Sequence, residues 1–351
     1  MKSSLLVSII INNYNYDRFL AEAIDSALNQ SYTDIEVIVV DDGSTDNSRQ
    51  IISEYGDRII AILQPNGKQA AAFNSGFAKS KGEIVIFLDS DDFLFSQAVA
   101  EIVAIWQPNL AKVHYRLNVV DGAGKSLGYS SPQGSSPLSR GKVWQMLLET
   151  GGYNSTPTSG NALSRQALTN LFPIPEQYKL TADDYLSFQV PFYGEVAAIE
   201  RPLGVYRVHD SNQWALATVT GDRFKRFVCH DLQNFSLLTK KAQELGYQIP
   251  PDLEQRSIGR LWSRIISLRL NIQTHPVKGD RSTKLIYQGI RSLWKYSDFN
   301  LPKRIFYSLW FIWVGLMPLP LAKPAISWLY APQHRPKLVS WTTNQLRTLI
   351  S

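Results

Sequence analysis

Cysteine is almost absent from this 351-residue chain. Cys229 stands alone, so no internal disulfide can form, and a reducing compartment suits it. Its place in a helical pattern predicts plain packing. No secretory leader is expected, because Met1 to Ser4 runs straight into the first apolar stretch and Asn12 and Asn13 interrupt that stretch. No Gly-rich phosphate loop with Arg opens the chain; Asn12 to Asn15 stands there instead, which argues against nucleotidyl transfer. No recognised nucleic-acid motif accompanies the basic residues, so no nucleic-acid partner is expected. What remains is a chain that is 44% hydrophobic and longer than one ordinary domain, enough for a real core.

From the amino end to Leu94, strand and helix patterns alternate. Leu5–Ile11, Ile35–Val40, Ile59–Leu63 and Ile84–Leu88 are apolar, largely β-branched runs that predict buried parallel strands. Asp17–Gln30, Thr45–Tyr55 and Lys68–Ser80 carry helical spacing between them. This order predicts an α/β fold: a mainly parallel sheet with helices on both faces. Ligands in such sheets bind beyond the carboxyl ends of the strands. Three polar clusters fall at those ends: Asn12–Asn15, Asp41–Ser44 and Asp89–Asp92. Each alone suits a turn and a helix cap. Together they predict a binding site. The crowded carboxylates Asp89, Asp91 and Asp92 repel one another, and a hard divalent cation, Mg²⁺ or Mn²⁺, offsets that repulsion while sharing its oxygen ligands with phosphate.

The motifs VDDGSTD (Val40–Asp46), QPNGKQAAAFNSGFAKSKGEI (Gln64–Ile84) and FLDSDD (Phe87–Asp92), in this order and spacing, resemble the amino-terminal half of a family 2 glycosyltransferase with a GT-A, Rossmann-like fold. The resemblance is dense over about the first hundred residues and sparser to about Asn212. It implies a nucleotide-sugar donor, with a UDP-sugar favoured and GDP- or dTDP-sugars open. Asn13 and Tyr14 then pack the base and ribose, and Asp42 accepts a hydrogen bond from one of them. Asn66, Gly67 and Lys68 frame the base side and Asn74 the sugar side. Asp89 contacts the ribose or sugar, and Asp91 ligates the metal. Phe73 departs from the pattern, since relatives often carry Arg there.

Thr181–Tyr185 resembles the family's acidic pair at a helix start, about ninety residues after the metal cluster. Asp184 is thereby the implied general base, with Asp183 the alternative, and the product is inverted. Tyr206–Asn212 resembles the segment that closes over the donor phosphates. In it His209 is a metal ligand or phosphate donor, and Arg207 a diphosphate clamp or a structural brace. Pro157–Ala162 is a glycine-containing loop expected before a helix, lining the acceptor side or serving as a plain connection.

Charge divides the chain. Residues 1–221 hold 16 basic and 23 acidic side chains, −7; residues 222–351 hold 20 and 7, +13. The expected organisation is a catalytic domain over 1–221 and a mostly α-helical, basic C-terminal region over 222–351. There, Leu253–Ile272 sets an apolar face opposite Arg256, Arg260 and Arg264. Ile305–Ala322 is uncharged, carries Trp310 and Trp313, and lies between Lys303-Arg304 and Lys323. About 18 apolar residues reach the lower limit for spanning a bilayer, but Pro318, Pro320 and Pro324 break the run. A membrane-associating segment near 304–331, lying in the interface, is therefore preferred over a span or a buried helix. The resulting expectation is an enzyme peripheral on the cytoplasmic membrane face, acting on a glycan or lipid-linked acceptor.

Overall fold

The computed structural model describes residues 4–330 apart from 135, 210, 211, 213–218 and 298. The expected C-terminal tail beyond 330, and Asp210 and Ser211 of the closing segment, lie outside the described residues. The elements run β1 (Val7–Asn13), α1 (Asp17–Leu28), β2 (Ile35–Asp42), α2 (Ser48–Glu54), β3 (Ile60–Gln64), α3 (Lys68–Lys79) and β4 (Ile84–Asp89). There follow β5 (Phe93–Leu94), α4 (Ala98–Ile105), β6 (Leu110–Asp121), β7 (Ser126–Ser131), α5 (Val143–Thr150), β8 (Asn161–Ser164), α6 (Arg165–Thr169), α7 (Ala182–Gln189) and β9 (Glu195–Val208). Among the described residues there follow the helices α8 (Gly221–Glu244), α9 (Ile258–Leu270), α10 (Ser282–Lys295), α11 (Leu301–Leu316) and α12 (Leu319–Tyr330). By contacts the chain divides into two compact units, 1–147 with 153–209, and 148–152 with 210–351.

The first unit is built on one sheet in the order β3-β2-β1-β4-β8-β6-β9-β5, with β7 on β6. β3, β2, β1 and β4 are mutually parallel. In β1, β2 and β4 Val, Ile and Leu fill most of the interior, because a strand covered on both faces buries its side chains. β3 lies at the sheet edge and exposes Ala61 and Leu63, so the buried strand expected at Ile59–Leu63 is instead a half-exposed edge strand. Register then decides where the polar ends meet. Asn12 lies opposite Asp89, and Asn13 opposite Asp41, so the three clusters share one edge. β8 joins β4 antiparallel, and β9 runs parallel to β6. The loop at Pro157 leads through a short 3₁₀ turn into β8, not directly into a helix as expected.

The second unit is helical. Its core gathers Phe224, Leu261, Ile265, Leu285, Phe311 and Val314. Gly289 of α10 stays open for the Phe311 ring, which a Cβ there would meet at 2.5 Å. Two expectations are corrected. Arg260 and Arg264 are buried, not on a solvent face. Arg264 forks onto Asp280 at 2.9 and 2.5 Å, and Arg260 donates to the Gly151 carbonyl at 3.2 Å. Cys229 is exposed: Phe224 and Val228 take the inward face of α8, so its neighbour turns outward.

Ile305–Ala322 is not one helix. α11 ends at Leu316, Met317 is extended, and α12 begins at Leu319. Among the described residues no helix is long and apolar enough to cross a membrane. One face of α11 is core, with Trp310, Phe311 and Val314 buried. The other exposes Ile305, Phe306, Leu309, Ile312, Trp313 and Leu316.

Candidate active site

Two clusters and an acidic pair converge on the carboxyl edge of the parallel strands. The first lies beyond β1, β2 and β3. Asp42 ends β2 nearly buried, and its carboxylate accepts from Gln64 Nε2 at 2.7 Å, Gly67 N at 2.9 Å and Lys68 N at 2.7 Å. It therefore caps α3 from the neighbouring strand and sets the path of Asn66–Lys68. An ionised carboxylate offers about four acceptor sites, which leaves room for one further donor. Lys68 holds a left-handed φ of 71°, and Gly43 one of 80°. At Gly43 a Cβ would stand 2.6 Å from Asn66 N, so only glycine lets these turns approach. Asn66, Gly67 and Lys68 are exposed, and the Lys68 ammonium lies 5.6 Å over the Tyr14 ring. Asn13 is buried and donates to Asp41 Oδ2 and Ser44 Oγ, both at 3.1 Å. The carbonyl oxygens of the Asn12 and Asn13 side chains are buried without a protein partner.

Both ends of the Asn74 amide bind the backbone of Ile174, at 3.1 and 2.7 Å, so Asn74 braces the segment before α7. Phe73, where an Arg was noted in relatives, is fully buried and stacks on Phe87 with ring centroids 4.2 Å apart.

The second cluster lies beyond β4 and β9. Asp91 Oδ2 meets His209 Nε2 at 3.0 Å, and the His209 ring packs against Tyr16 and Phe19. Asp89 accepts from Asn12 Nδ2 at 3.1 Å. Burial first, then the charge of Asp91, pushes its carboxyl up to about 7, against hydrogen bonds from Asn12 and Thr158. Asp92 is driven well above the usual carboxylate range by burial and by the charges of Asp91 and Asp89. Burial and these carboxylates also push the Tyr16 and Tyr206 hydroxyls up.

Asp92 was not assigned a role by the sequence, and it turns out to be the tie of the site. It accepts from Ser159 Oγ at 2.6 Å and from Arg207 N at 2.9 Å, joining the turn after β4, the 3₁₀ turn before β8, and β9. Nothing in the sequence distinguishes it from its acidic neighbours. Arg207, for which a diphosphate clamp and a structural brace were both open, makes the contacts of a brace: nearly buried, it donates from Nε to the Asp91 carbonyl at 2.9 Å, pairs with Glu22, and lies 4.5 Å over the Phe19 ring. A guanidinium so enclosed fixes the backbone that carries Asp91.

Asp183 and Asp184 open α7. The Thr158 hydroxyl donates to Asp183 Oδ2 at 3.2 Å. Asp183, Asp184 and Thr158 line a cavity of about 120 Å³ with Phe73, Phe87 and Lys112. Lys112, buried on β6, escaped the sequence reading because a lone Lys in a strand pattern carries no signal.

The chemistry of the donor set suits a divalent cation shared with a ligand. Asp91 and His209 offer an oxygen and a nitrogen side by side, and a cation would relieve the repulsion that raises Asp89. Among the described residues no group of three or more His, Cys, Asp or Glu side chains is placed to hold a metal. The remaining ligands would therefore come from a phosphate and water, as Mg²⁺ and Mn²⁺ accept.

The family model described as Glycosyl transferase family 2 matches residues 8–156. An uncharacterized glycosyltransferase of Nostoc sp. is 39% identical over 213 residues, covering 59% of this chain and 66% of that protein. One from Rickettsia felis is 36% identical over 140 residues, covering 38% of this chain and 23% of that protein. The chain thus spans less than two thirds of the length of either relative. The crystal structure of S. aureus TarS 1-349 in complex with UDP-GlcNAc aligns over 93% of this chain and 91% of its own, with a TM-score of 0.51 and 14% identity. That likeness is one of fold, and it places the curled, mostly parallel sheet among GT-A-like architectures. The motifs at the ends of β1, β2 and β4 all fall within the matched stretch, and residues 8–156 are a glycosyl transferase family 2 domain.

Proposed function

We propose that this chain transfers a sugar from a nucleoside-diphosphate donor, a UDP-sugar by preference, to a hydroxyl acceptor with inversion at the anomeric carbon. The observation that carries this reading is the Asp91–His209 pair, 3.0 Å apart at the strand edge, with the acidic pair Asp183 and Asp184 opening α7.

Tyr14, Asn66, Gly67 and Lys68 would receive the base, and Asp42 would give its remaining acceptor site to a base or ribose donor. The orphaned carbonyls of Asn12 and Asn13 offer acceptors along the same edge. Asp91 and His209 would hold Mn²⁺ or Mg²⁺ together with the diphosphate. Such an ion, when bound, supplies charge neutralisation to the leaving diphosphate. Asp184 takes the proton of the attacking acceptor hydroxyl, and the Thr158 bond leaves Asp183 to position it. The bond from the anomeric carbon to the diphosphate oxygen breaks as the new glycosidic bond forms on the opposite face.

The second unit supports a peripheral site at the cytoplasmic face of a membrane, with a cell-surface or lipid-linked glycan as acceptor. The exposed stripe of α11 carries Trp313 and is flanked by Lys303, Arg304 and Lys323. Amphipathic helices of this composition lie in lipid interfaces.

A thermal-shift panel of UDP, GDP, dTDP and CDP, each with Mn²⁺ and each with chelator, tests the donor reading. A ligand that binds only the folded state raises Tm. A metal-dependent rise with one nucleotide is expected; no rise with any nucleotide in a folded sample overturns it.

A further inference from the structure

A cavity of about 490 Å³ lies within the second unit, walled by the end of α9, the connection that follows it and the start of α10. Arg269, Asp280, Arg281 and Ser282 are in its polar lining, and Leu270 and Ile272 in its apolar lining. Asp280 is already engaged: Arg264 forks onto it, and His275 Nε2 lies 3.0 Å from its Oδ2. The two arginines of the lining have no such carboxylate. Arg281 is exposed and has no hydrogen-bond or ion-pair partner among the described residues. Arg269 gives Nη2 to the Met317 carbonyl, while its Nε is buried with no partner. A buried N–H of a charged group left unpaired costs free energy that an incoming acceptor recovers.

The start of α10 adds donors to the same wall. Its first amides have no intrahelical acceptor, no side chain caps them, and no carboxylate stands in the first turn. A cation placed in the cavity meets two guanidinium groups. An apolar group leaves their N–H groups unmatched. A phosphate presents oxygens in several directions and accepts the fork of an arginine, so it can answer donors from α9 and α10 together. It fills only part of the cavity, which leaves room for the group that carries it.

The position is equally specific. The bond from Arg269 to Met317 ties this wall to the end of α11, where the exposed apolar stripe finishes at Leu316. Ile272, on the cavity wall, is 73% exposed.

We propose that this cavity is a phosphate-binding site, with Arg269, Arg281 and the first turn of α10 as its donors. The phosphate is that of a lipid headgroup or of a free phosphate ester. The lipid source rests on the membrane reading above; the soluble source does not.

Two variants and two arms test the site. Arg281→Gln removes an exposed guanidinium. Ser282→Glu puts a carboxylate in the first turn of α10, where it favours the helix and repels a phosphate, so binding lost at an unchanged or raised Tm is not lost folding. The first arm titrates glycerol phosphate by calorimetry, with chelator present to keep metal from the donor site. The second measures co-sedimentation with phosphatidylcholine vesicles containing phosphatidic acid, and with vesicles brought to the same surface charge by oleate. Each variant is expected to weaken phosphate binding by about tenfold or more, as for a lost hydrogen bond to a charged group. With a lipid source, wild type prefers phosphatidic acid and the variants lose that preference while still binding oleate vesicles. With a soluble source, only the glycerol phosphate affinity falls and the two vesicles are bound alike.

Variants equal to wild type in both arms overturn the proposal. Vesicles bound alike, with no glycerol phosphate bound, sink this inference and leave the membrane reading standing. Glycerol phosphate binding that needs Arg281, in a protein that sediments with neither vesicle, supports the site and sinks the membrane reading alone.

Discussion

Asp91 Oδ2 and His209 Nε2 stand 3.0 Å apart although 118 residues separate them in the chain. Arg207 makes that distance possible. Its side chain grips the Asp91 carbonyl while its own N–H grips Asp92, so the end of β9 is fastened to the turn after β4.

Asp91→Ala and His209→Ala should each nearly abolish transfer and remove the Mn²⁺-dependent part of the nucleotide thermal shift. Neither should prevent folding, because the braces run through Asp92, Ser159 and Arg207. Full activity in either variant would take that residue out of the mechanism.

Asp184→Asn should leave nucleotide binding intact and lower turnover by about a hundredfold or more, the span of a lost general base. Asp183→Asn should cost less, since Asp183 is engaged by Thr158. The comparison is made on turnover at saturating donor; the reverse ranking would move the base to Asp183.

His114 gives the stability a pH dependence. It is buried, its Nε2 lies 2.7 Å from the Ser139 carbonyl, and burial with the charge of Lys112 pushes its pKa down to about 3. Its folded value lies below its unfolded value of 6.5, so the unfolded chain takes up the proton first. The contribution is fully present above about 6.5 and is lost as pH falls from there toward about 3. The slope is at most about 1.4 kcal/mol per pH unit. Denaturant melts of wild type and His114→Gln should converge as pH drops from 7 to 4; a constant gap would refute the assignment.

The apolar stripe of α11 should decide lipid binding. Deleting the whole segment is a poor test, because Trp310, Phe311 and Val314 belong to the core of the second unit. Leu309→Glu and Leu316→Glu alter only exposed positions. Both should lose co-sedimentation with vesicles containing anionic lipid while keeping Tm within a few degrees. Unchanged pelleting would reject the interface.

The sequence by itself determined the alternation of strands and helices, the parallel half of the sheet, and the edge where its polar clusters lie. Those features are written in local periods of apolar residues, and the polar residues that end each strand mark the edge directly. It also singled out Asp91, His209, Asp183 and Asp184 through motif spacing. The tertiary structure decided how each side chain is employed. Arg207 braces because β9 lands beside the β4 turn, Asn74 is spent on Ile174, and Asp42 caps α3. Arg269 acquires meaning only when α9 carries it into a cavity shared with α10. Such roles depend on which residues distant in the chain share a small volume, and on how many hydrogen bonds remain unspent there. No local pattern encodes either quantity.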